Sequence, residues 1–438
     1  MDKSKRLPPT SAPLQRLSLQ LRRLMLRVSH GPGLRTLLLL VGVLLVGMLL
    51  MALTLFHSPS YSSEHVVSEL EANLRRPVVL DGRSIAYPLP SKYPNGEANR
   101  FECDLPSLRF DCDMDAVDGC RAYPQLFPAA DLFRNWSPED AAHEPEQIFS
   151  SICRFDVSSP YEFRLAQLFH RMEVPFIAYG IPDLTAASER WTDEYLTTKF
   201  TPTQKFKVHV ANDSHFMYTK RSDALSGEEP TYESMWWTYP EFVEAVAATK
   251  QVPPGEPHDY YYFMLKQGDI ASRSSFVYDE LSFMDVRLPQ GATPYGDFFI
   301  RDARAALDKG MRCRLGMQGI VAEGHVDGGL NMIAMVRGRK RYVLSPPSVC
   351  GCLHLLSEGQ SRRHTSLNWS DVDSLPANAK ACPATEVIIN QGEVLYVPSY
   401  WYHHIVSLDE SIQCNVRSGV AIRDETRKYL HECGVADL

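Results

Sequence analysis

The apolar positions of this chain fall into three regimes. From Thr36 to Phe56 (TLLLLVGVLLVGMLLMALTLF) they run almost unbroken and no residue is charged. At about 1.5 Å per residue this stretch makes a helix of roughly 31 Å, enough to cross a hydrocarbon core of about 30 Å. A helix buried in a soluble core would show one polar face, and this one shows none. A cleaved signal peptide fits less well. The run is longer than the ~7–15 residues of a typical apolar signal region and starts far from the N-terminus. The pattern predicts a transmembrane helix over 36–56.

The second regime has a helical period. Tyr161–Met172 places Leu165, Leu168, Phe169 and Met172 at i, i+3, i+4 and i+7, which predicts an amphipathic helix. Thr238 and Glu241 form a capping box ahead of a second helix at Phe242–Lys250. Between them Val174–Gly180 and Phe206–Val210 read as strands and Trp191–Phe200 as a short helix. From Asp259 onward the period changes to short β-rich runs broken by Gly, Pro and Asn. These are Tyr260–Leu265, Leu315–Val321, Leu330–Val336, Arg341–Leu344, Val387–Ile389, Val394–Val397, His404–Ser407 and Ile412–Val416. Many short strands after a helical lead-in predict a mainly β fold with flanking helices, a barrel or double-sheet jelly roll. The expected organisation is a basic tail at 1–35, the membrane helix at 36–56, and a stalk with a loop-rich cysteine-containing region at 57–155. The folded domain is expected at 156–438, with its barrel core at about 259–420. A long irregular insertion occupies 351–385, and Ala421–His431 reads as a closing helix.

Charge orients the anchor. Residues 1–35 carry eight Lys and Arg against Asp2, a net +7, and the next basic residue beyond the apolar run is Arg75. The basic side stays in the cytosol, so the body is expected in the secretory lumen, ER or Golgi, of a single-pass type II protein. With -8 overall, residues 57–438 carry -15, which gives no electrostatic reason to expect nucleic acid as a partner. Ten cysteines, an even number, suit disulfides in such a compartment; no paired C-x-x-C spacing points to zinc. Asn135, Asn212 and Asn368 open glycosylation tripeptides, although Pro138 follows the first of them.

Among 14 histidines only His325 opens an H-x-[DE] tripeptide, with Asp327 two positions on. On a strand, residues i and i+2 project from one face. A second histidine source is the run Gly392-Glu-Val-Leu-Tyr-Val-Pro-Ser-Tyr-Trp-Tyr-His403-His404-Ile. Two imidazoles and one carboxylate are the donor set that holds ferrous iron with one face open. Taken alone H-x-D is a weak signal, more often a surface or capping pair. No G-x-S-x-G elbow, P-loop or H-E-x-x-H is present to suggest a hydrolase or nucleotide enzyme.

In its order of motifs the chain resembles the JmjC/cupin-like oxygenases, most closely those of the asparaginyl hydroxylase type that act in oxygen sensing. The resemblance runs from about Val174 to Val420. It rests on Gly316–Asp327, Asn331, Val336–Pro347, Gly392–Ile405 and Cys414-Asn415-Val416. It implies Fe(II) and 2-oxoglutarate as cofactors, with His325, Asp327 and His403 as metal ligands. His403 is preferred to His404 by its spacing from Trp401 and by face alternation. It further implies Lys340 as the anchor of the cosubstrate's far carboxylate, with Asn331 and Asn415 lining the pocket and Tyr262 as a phenol donor. Without the resemblance Lys340 would read as a solvated turn lysine and Tyr262 as core. Two positions depart from the family: Ala322 stands where relatives often carry a hydroxyl, and Arg417 where the nearest relatives have an aromatic. The expected function is a membrane-anchored dioxygenase that hydroxylates a protein or glycan. The alternative is a catalytically degenerate, tethered cupin-like binding module, and a chromatin demethylase would conflict with the predicted topology.

Overall fold

The computed structural model describes residues 121–216, 232–253, 256–419 and 424–435, with short paired segments at 79–80, 83–84 and 108–109. The expected membrane helix at 36–56 and the basic tail lie outside the described residues. Among the described residues no helix is long and apolar enough to cross a membrane.

Fifteen strands build the domain: β1 (Phe127–Pro128), β2 (Arg154–Asp156), β3 (Phe176–Tyr179), β4 (Phe206–Ala211), β5 (His215–Phe216), β6 (Glu233–Trp237), β7 (Tyr260–Leu265), β8 (Met311–Gly316), β9 (Val321–Val326), β10 (Asn331–Arg337), β11 (Lys340–Ser345), β12 (Pro383–Ile389), β13 (Val394–Val397), β14 (Tyr402–Ser407) and β15 (Ser411–Arg417). They form two facing sheets. The larger has the order β6-β4-β7-β8-β15-β10-β13-β3-β2 and the smaller β1-β12-β11-β14-β9-β5. Pairing is antiparallel except for β9 with β5 and β2 with β3. The mainly β expectation therefore holds, as a double-sheet cupin-like sandwich with helices packed outside it.

Alternation explains what lies between the sheets and what lies outside. Along β11, Tyr342 and Leu344 point inward and join Ile177, Ile333, Met335, Leu395, Val397 and Trp401 in a dry core at one end of the sandwich. Val343, one step off, faces outward into a second cluster formed with Leu132, Phe133, Trp369 and Leu430. The other end of the sandwich is polar and holds the candidate site.

Helix α1 (Ala129–Asn135) lies in the stretch that the pattern reads as loop-rich, yet Leu132 and Phe133 are buried on the smaller sheet. What fixes it there is Arg341. Its guanidinium donates to Trp136 O at 2.6 Å, to Leu132 O at 3.0 Å and to Glu386 Oε2 at 2.6 Å. These carbonyls close the helix: Leu132 O also accepts the Trp136 N–H at 3.0 Å, and Trp136 is the C-cap residue. Arg341 and Glu386 are 1% and 0% exposed, so the clamp is dry and intolerant of losing either side.

Several elements match the pattern closely. The helix at Pro160–Arg171, the strand Tyr260–Leu265 and the capping box at Thr238 and Glu241 all stand where expected. One expected strand does not. Leu315–Val321 straddles the turn between β8 and β9, where Gly319 adopts φ +84°. Apolar Leu315, Met317, Ile320 and Val321 are buried on either side of that turn, while Gln318 at its tip is exposed.

Candidate metal centre

Strands β9 and β14 bring the two histidines together. Their register runs Val321↔Val406 and Ala322↔Ile405, then slips so that His325 faces His403. Three steps on β9 match two on β14, a bulge at Glu323-Gly324. The bulge turns Ala322 and His325 to the same side although they are three residues apart. Gly324 permits it, since a Cβ there would collide with the Tyr402 ring and hydroxyl. Asp327 lies just beyond β9, and its carbonyl accepts the Tyr400 N–H at 2.7 Å. Tyr400 sits at φ +62°, so the strained Pro398–Trp401 turn leading into β14 is tied to the carboxylate's own backbone.

The ligand atoms of His325, Asp327 and His403 all lie within 4.8 Å of one another. His403 Nε2 is 3.6 Å from Asp327 Oδ2, and the two imidazole centroids are 4.3 Å apart. Each imidazole has its Nδ1 against a carbonyl two residues upstream: His325 at 2.8 Å from Glu323 O and His403 at 2.9 Å from Trp401 O. A carbonyl only accepts, so Nδ1 carries the proton and each Nε2 lone pair is left for an electrophile. Burial, and then the facing His403 and His364, hold His325 well below the ordinary histidine range. Burial would raise Asp327, but the Arg417 guanidinium, with His403 and His325, outweighs it and keeps the carboxyl well below its usual range. A neutral imidazole at His325 and an ionised carboxylate at Asp327 are protonation states that suit a divalent metal. The donor set fits iron.

His404 faces the other way, edge-on to Phe133 with centroids 5.1 Å apart. Face alternation thus separates the two neighbouring histidines.

A cavity of about 150 Å³ opens beside the triad, and Tyr262, Asn331 and Asn415 line it. Asn415 Nδ2 donates to Asn331 Oδ1 at 2.9 Å, and Asn415 Oδ1 accepts from Arg314 Nη1 at 3.2 Å. Lys340 stands behind Tyr262, with its ammonium 5.4 Å from the ring centroid and the residue 1% exposed. The reading of Lys340 as a solvated turn lysine is therefore corrected: strand alternation turns it inward with Tyr342. Burial lowers its pKa, and its charged or polar neighbours are Tyr262 and Arg314, with no acid among them. Ala322 also lines the cavity and presents only a methyl group. Arg417 forms an ion pair directly with Asp327 Oδ2, so this departure touches the metal-ligand carboxylate itself.

Sequence reasoning missed several lining residues: His209, Arg312, Arg314, Arg363 and His364. A signal existed for two of them. Arg312-Cys313-Arg314 alternates basic and apolar, which puts both guanidinium groups on one face of β8. Arg363 and His364 come from the 351–385 insertion, which carries no period to read. His364 stacks on His325 with centroids 4.8 Å apart.

Behind the site His215 bridges two acids, Nδ1 to Glu323 Oε1 at 2.6 Å and Nε2 to Glu139 Oε1 at 3.0 Å. Burial opposes its charge, but the two carboxylates win and raise it from 6.5 to about 9. A folded value above the unfolded one means the bridge stabilises fully below about pH 6.5 and is lost as pH rises through about 9. The shift corresponds to about 3 kcal/mol. His215→Gln should therefore lower the melting temperature strongly near pH 6 and little near pH 9.5. Thermal melts of both proteins at the two pH values check this, and equal losses would rule out the charged bridge.

Residues 162–416 match the family of the cupin-like domain. Among curated relatives, the HSPB1-associated protein 1 homolog of Danio rerio is 31% identical over 109 residues, 24% of each chain. The tRNA wybutosine-synthesizing protein 5 of Homo sapiens is 22% identical over 246 residues, 55% of this chain and 70% of that one. The JmjC domain-containing protein C of Dictyostelium discoideum is 35% identical over 86 residues, 19% and 20% of the two chains. The chain thus spans about a quarter of the zebrafish relative. With more than half of its length matched, and with the two facing sheets in place, this chain belongs to the cupin-like domain family.

Proposed function

We propose that this protein is an Fe(II)- and 2-oxoglutarate-dependent oxygenase, anchored by residues 36–56, that hydroxylates a protein or glycan in the secretory lumen. The observation that carries the reading is Lys340: a buried ammonium with no acid beside it among the described residues, set against the Tyr262 ring that lines the cavity beside the triad. A buried charge with only a phenol to pair with is costly, and a carboxylate delivered by a ligand would relieve that cost. When bound, iron and 2-oxoglutarate would use dioxygen to hydroxylate a C–H bond, one oxygen atom going to the substrate and the other into succinate as carbon dioxide is released.

The chain's own residues do the holding and orienting. His325 and His403 offer Nε2 because their Nδ1 protons are committed to carbonyls, and Asp327 offers an ionised oxygen. Lys340 and Tyr262 would receive the far carboxylate, while Asn331 and Asn415, bonded to one another, wall the middle of the pocket. Supporting a lumenal address, all seven described cysteines are disulfide-bonded, among them the pairs Cys313–Cys414, Cys350–Cys433 and Cys352–Cys382. Asn212 lies exposed in the turn after β4, where a glycan could be attached.

Metal analysis of the purified protein, joined to an assay of 2-oxoglutarate conversion to succinate, tests the proposal. Stoichiometric iron with turnover is the expected result. A second reading, a degenerate binding module, is favoured by the Arg417–Asp327 pair, in which a guanidinium occupies an oxygen that a metal would use. Folded protein that takes up neither iron nor 2-oxoglutarate would establish that second reading and end the first.

A further inference from the structure

The cavity is more cationic than the proposed cofactors require. Arg312, Arg314, Arg363 and Arg417 line it, and the lining acids among the described residues are Asp327 and Glu323. This concentration sits in a chain of net charge -8, so it is not a spill-over of general basicity. Each of the other charges has an assignment. Arg417 is on Asp327, Arg314 donates to Asn415, and Glu323 is bonded to His215. Arg312 and Arg363 are both half-buried, and neither guanidinium has an acid or hydrogen-bond acceptor among the described residues.

Their position separates them from the anchor of the far carboxylate. On β8, Gly316 faces Tyr262 of β7, and Arg312 lies four residues back along the same strand, about 13 Å away. Arg312 faces Asn415 on β15, one diagonal step from Arg417 and so from Asp327. Arg312 is therefore at the metal end and Lys340 with Tyr262 at the opposite end.

Arg363 approaches from the insertion. It adopts φ +75°, an arrangement that costs energy in a residue with a side chain. Two backbone bonds hold it there, Arg363 N–H to Leu356 O at 2.7 Å and Val326 N–H to Arg363 O at 3.1 Å. The strained residue is thereby fastened to the strand that carries His325, and its neighbour His364 pairs with His325.

We infer that Arg312 and Arg363 form a subsite for an oxyanion on the primary substrate, a phosphate, sulfate or carboxylate close to the carbon that is oxidised. The inference rests on the oxygenase reading for the identity of the reaction, but the subsite itself does not depend on it. A guanidinium presents paired donors that match such groups. The substrate is thus selected at the metal end by charge, while the cosubstrate is held at the other end.

The test titrates inorganic phosphate, inorganic sulfate and acetate separately into the full chain saturated with Zn(II) and 2-oxoglutarate, followed by calorimetry. At least one anion should bind saturably at one site, and the preferred one names the group. In the Arg312→Gln/Arg363→Gln double variant that affinity should fall at least about tenfold. Its 2-oxoglutarate affinity and melting temperature should stay near those of the parent, since both side chains are half-buried and lie away from Lys340. No saturable binding of any of the three anions, or binding unchanged in the double variant, overturns the inference. If Zn(II) and 2-oxoglutarate do not bind but an anion still depends on the two arginines, the oxygenase reading falls and the subsite stands.

Discussion

Replacing His403 with Ala should lower affinity for a divalent metal by more than about 100-fold and abolish turnover of 2-oxoglutarate. Loss of a hydrogen-bond partner behind a ligand costs ~10–100-fold, so loss of the ligand itself should exceed that. Here the remaining set is unusually poor. Arg417 already holds one oxygen of Asp327, which leaves His325 and the other carboxylate oxygen as the remaining donors. Titration with Mn(II) reads the affinity, and a melt of the metal-free protein shows whether the variant is folded. His404→Ala is the matched comparison. That ring packs on Phe133 outside the sandwich, so its removal should cost stability and leave metal affinity in place. A folded His403→Ala protein with parental metal affinity would remove His403 from the ligand set.

Lys340→Met should act in opposite directions on the two states of the protein. Without cosubstrate the ammonium is buried beside Tyr262 and Arg314 with no acid, so an uncharged side chain of similar length should raise the melting temperature. With 2-oxoglutarate present the ordering should reverse. Losing one side of a buried charged contact costs ~2–5 kcal/mol, which is a fall in affinity of about 30-fold or more. The parent should therefore gain thermal stability on adding 2-oxoglutarate, and the variant should gain almost none at the same concentration. Metal affinity should be unaffected. Melts with and without 2-oxoglutarate read both effects, and an unchanged response to the cosubstrate would separate Lys340 from its binding.

These two residues also show how far the sequence could be read. His325 and His403 stand in β9 and β14 and Asp327 just beyond β9, and no strand was expected over 322–327, so their convergence was legible through the H-x-D tripeptide and the order of motifs. Lys340 was legible through the resemblance alone, because Arg339-Lys340-Arg341 looks like a polar turn. Alternation sends its members to three different fates: Arg339 to the half-exposed Asp409, Lys340 inward, and Arg341 outward under α1. The bulge at Glu323-Gly324 was not legible. It depends on the close approach of Tyr402, a contact made across strands about eighty residues apart in the chain. Arg363 was invisible for a related reason. Irregular backbone has no period, and its role comes from the hydrogen bonds that fasten it to β9. The turn after Leu315 was misread because its residues are apolar for burial, not for strand formation.

The Cys313–Cys414 bridge joins facing residues of neighbouring strands, so in the folded protein it constrains little that the ladder does not already hold. Its effect lies in the denatured chain. The bridge closes a loop spanning 101 residues, and His325, Asp327, Asn331, Lys340 and His403 all fall within it. An unfolded chain so tethered has fewer arrangements to lose, worth about 4.7 kcal/mol for a ring of this size on the chain-entropy account. The histidine pair and the lysine that face one interior are thus kept on one covalent ring before any strand has formed. Reduction of the bridge would leave each of those residues chemically intact while widening the search by which they find one another.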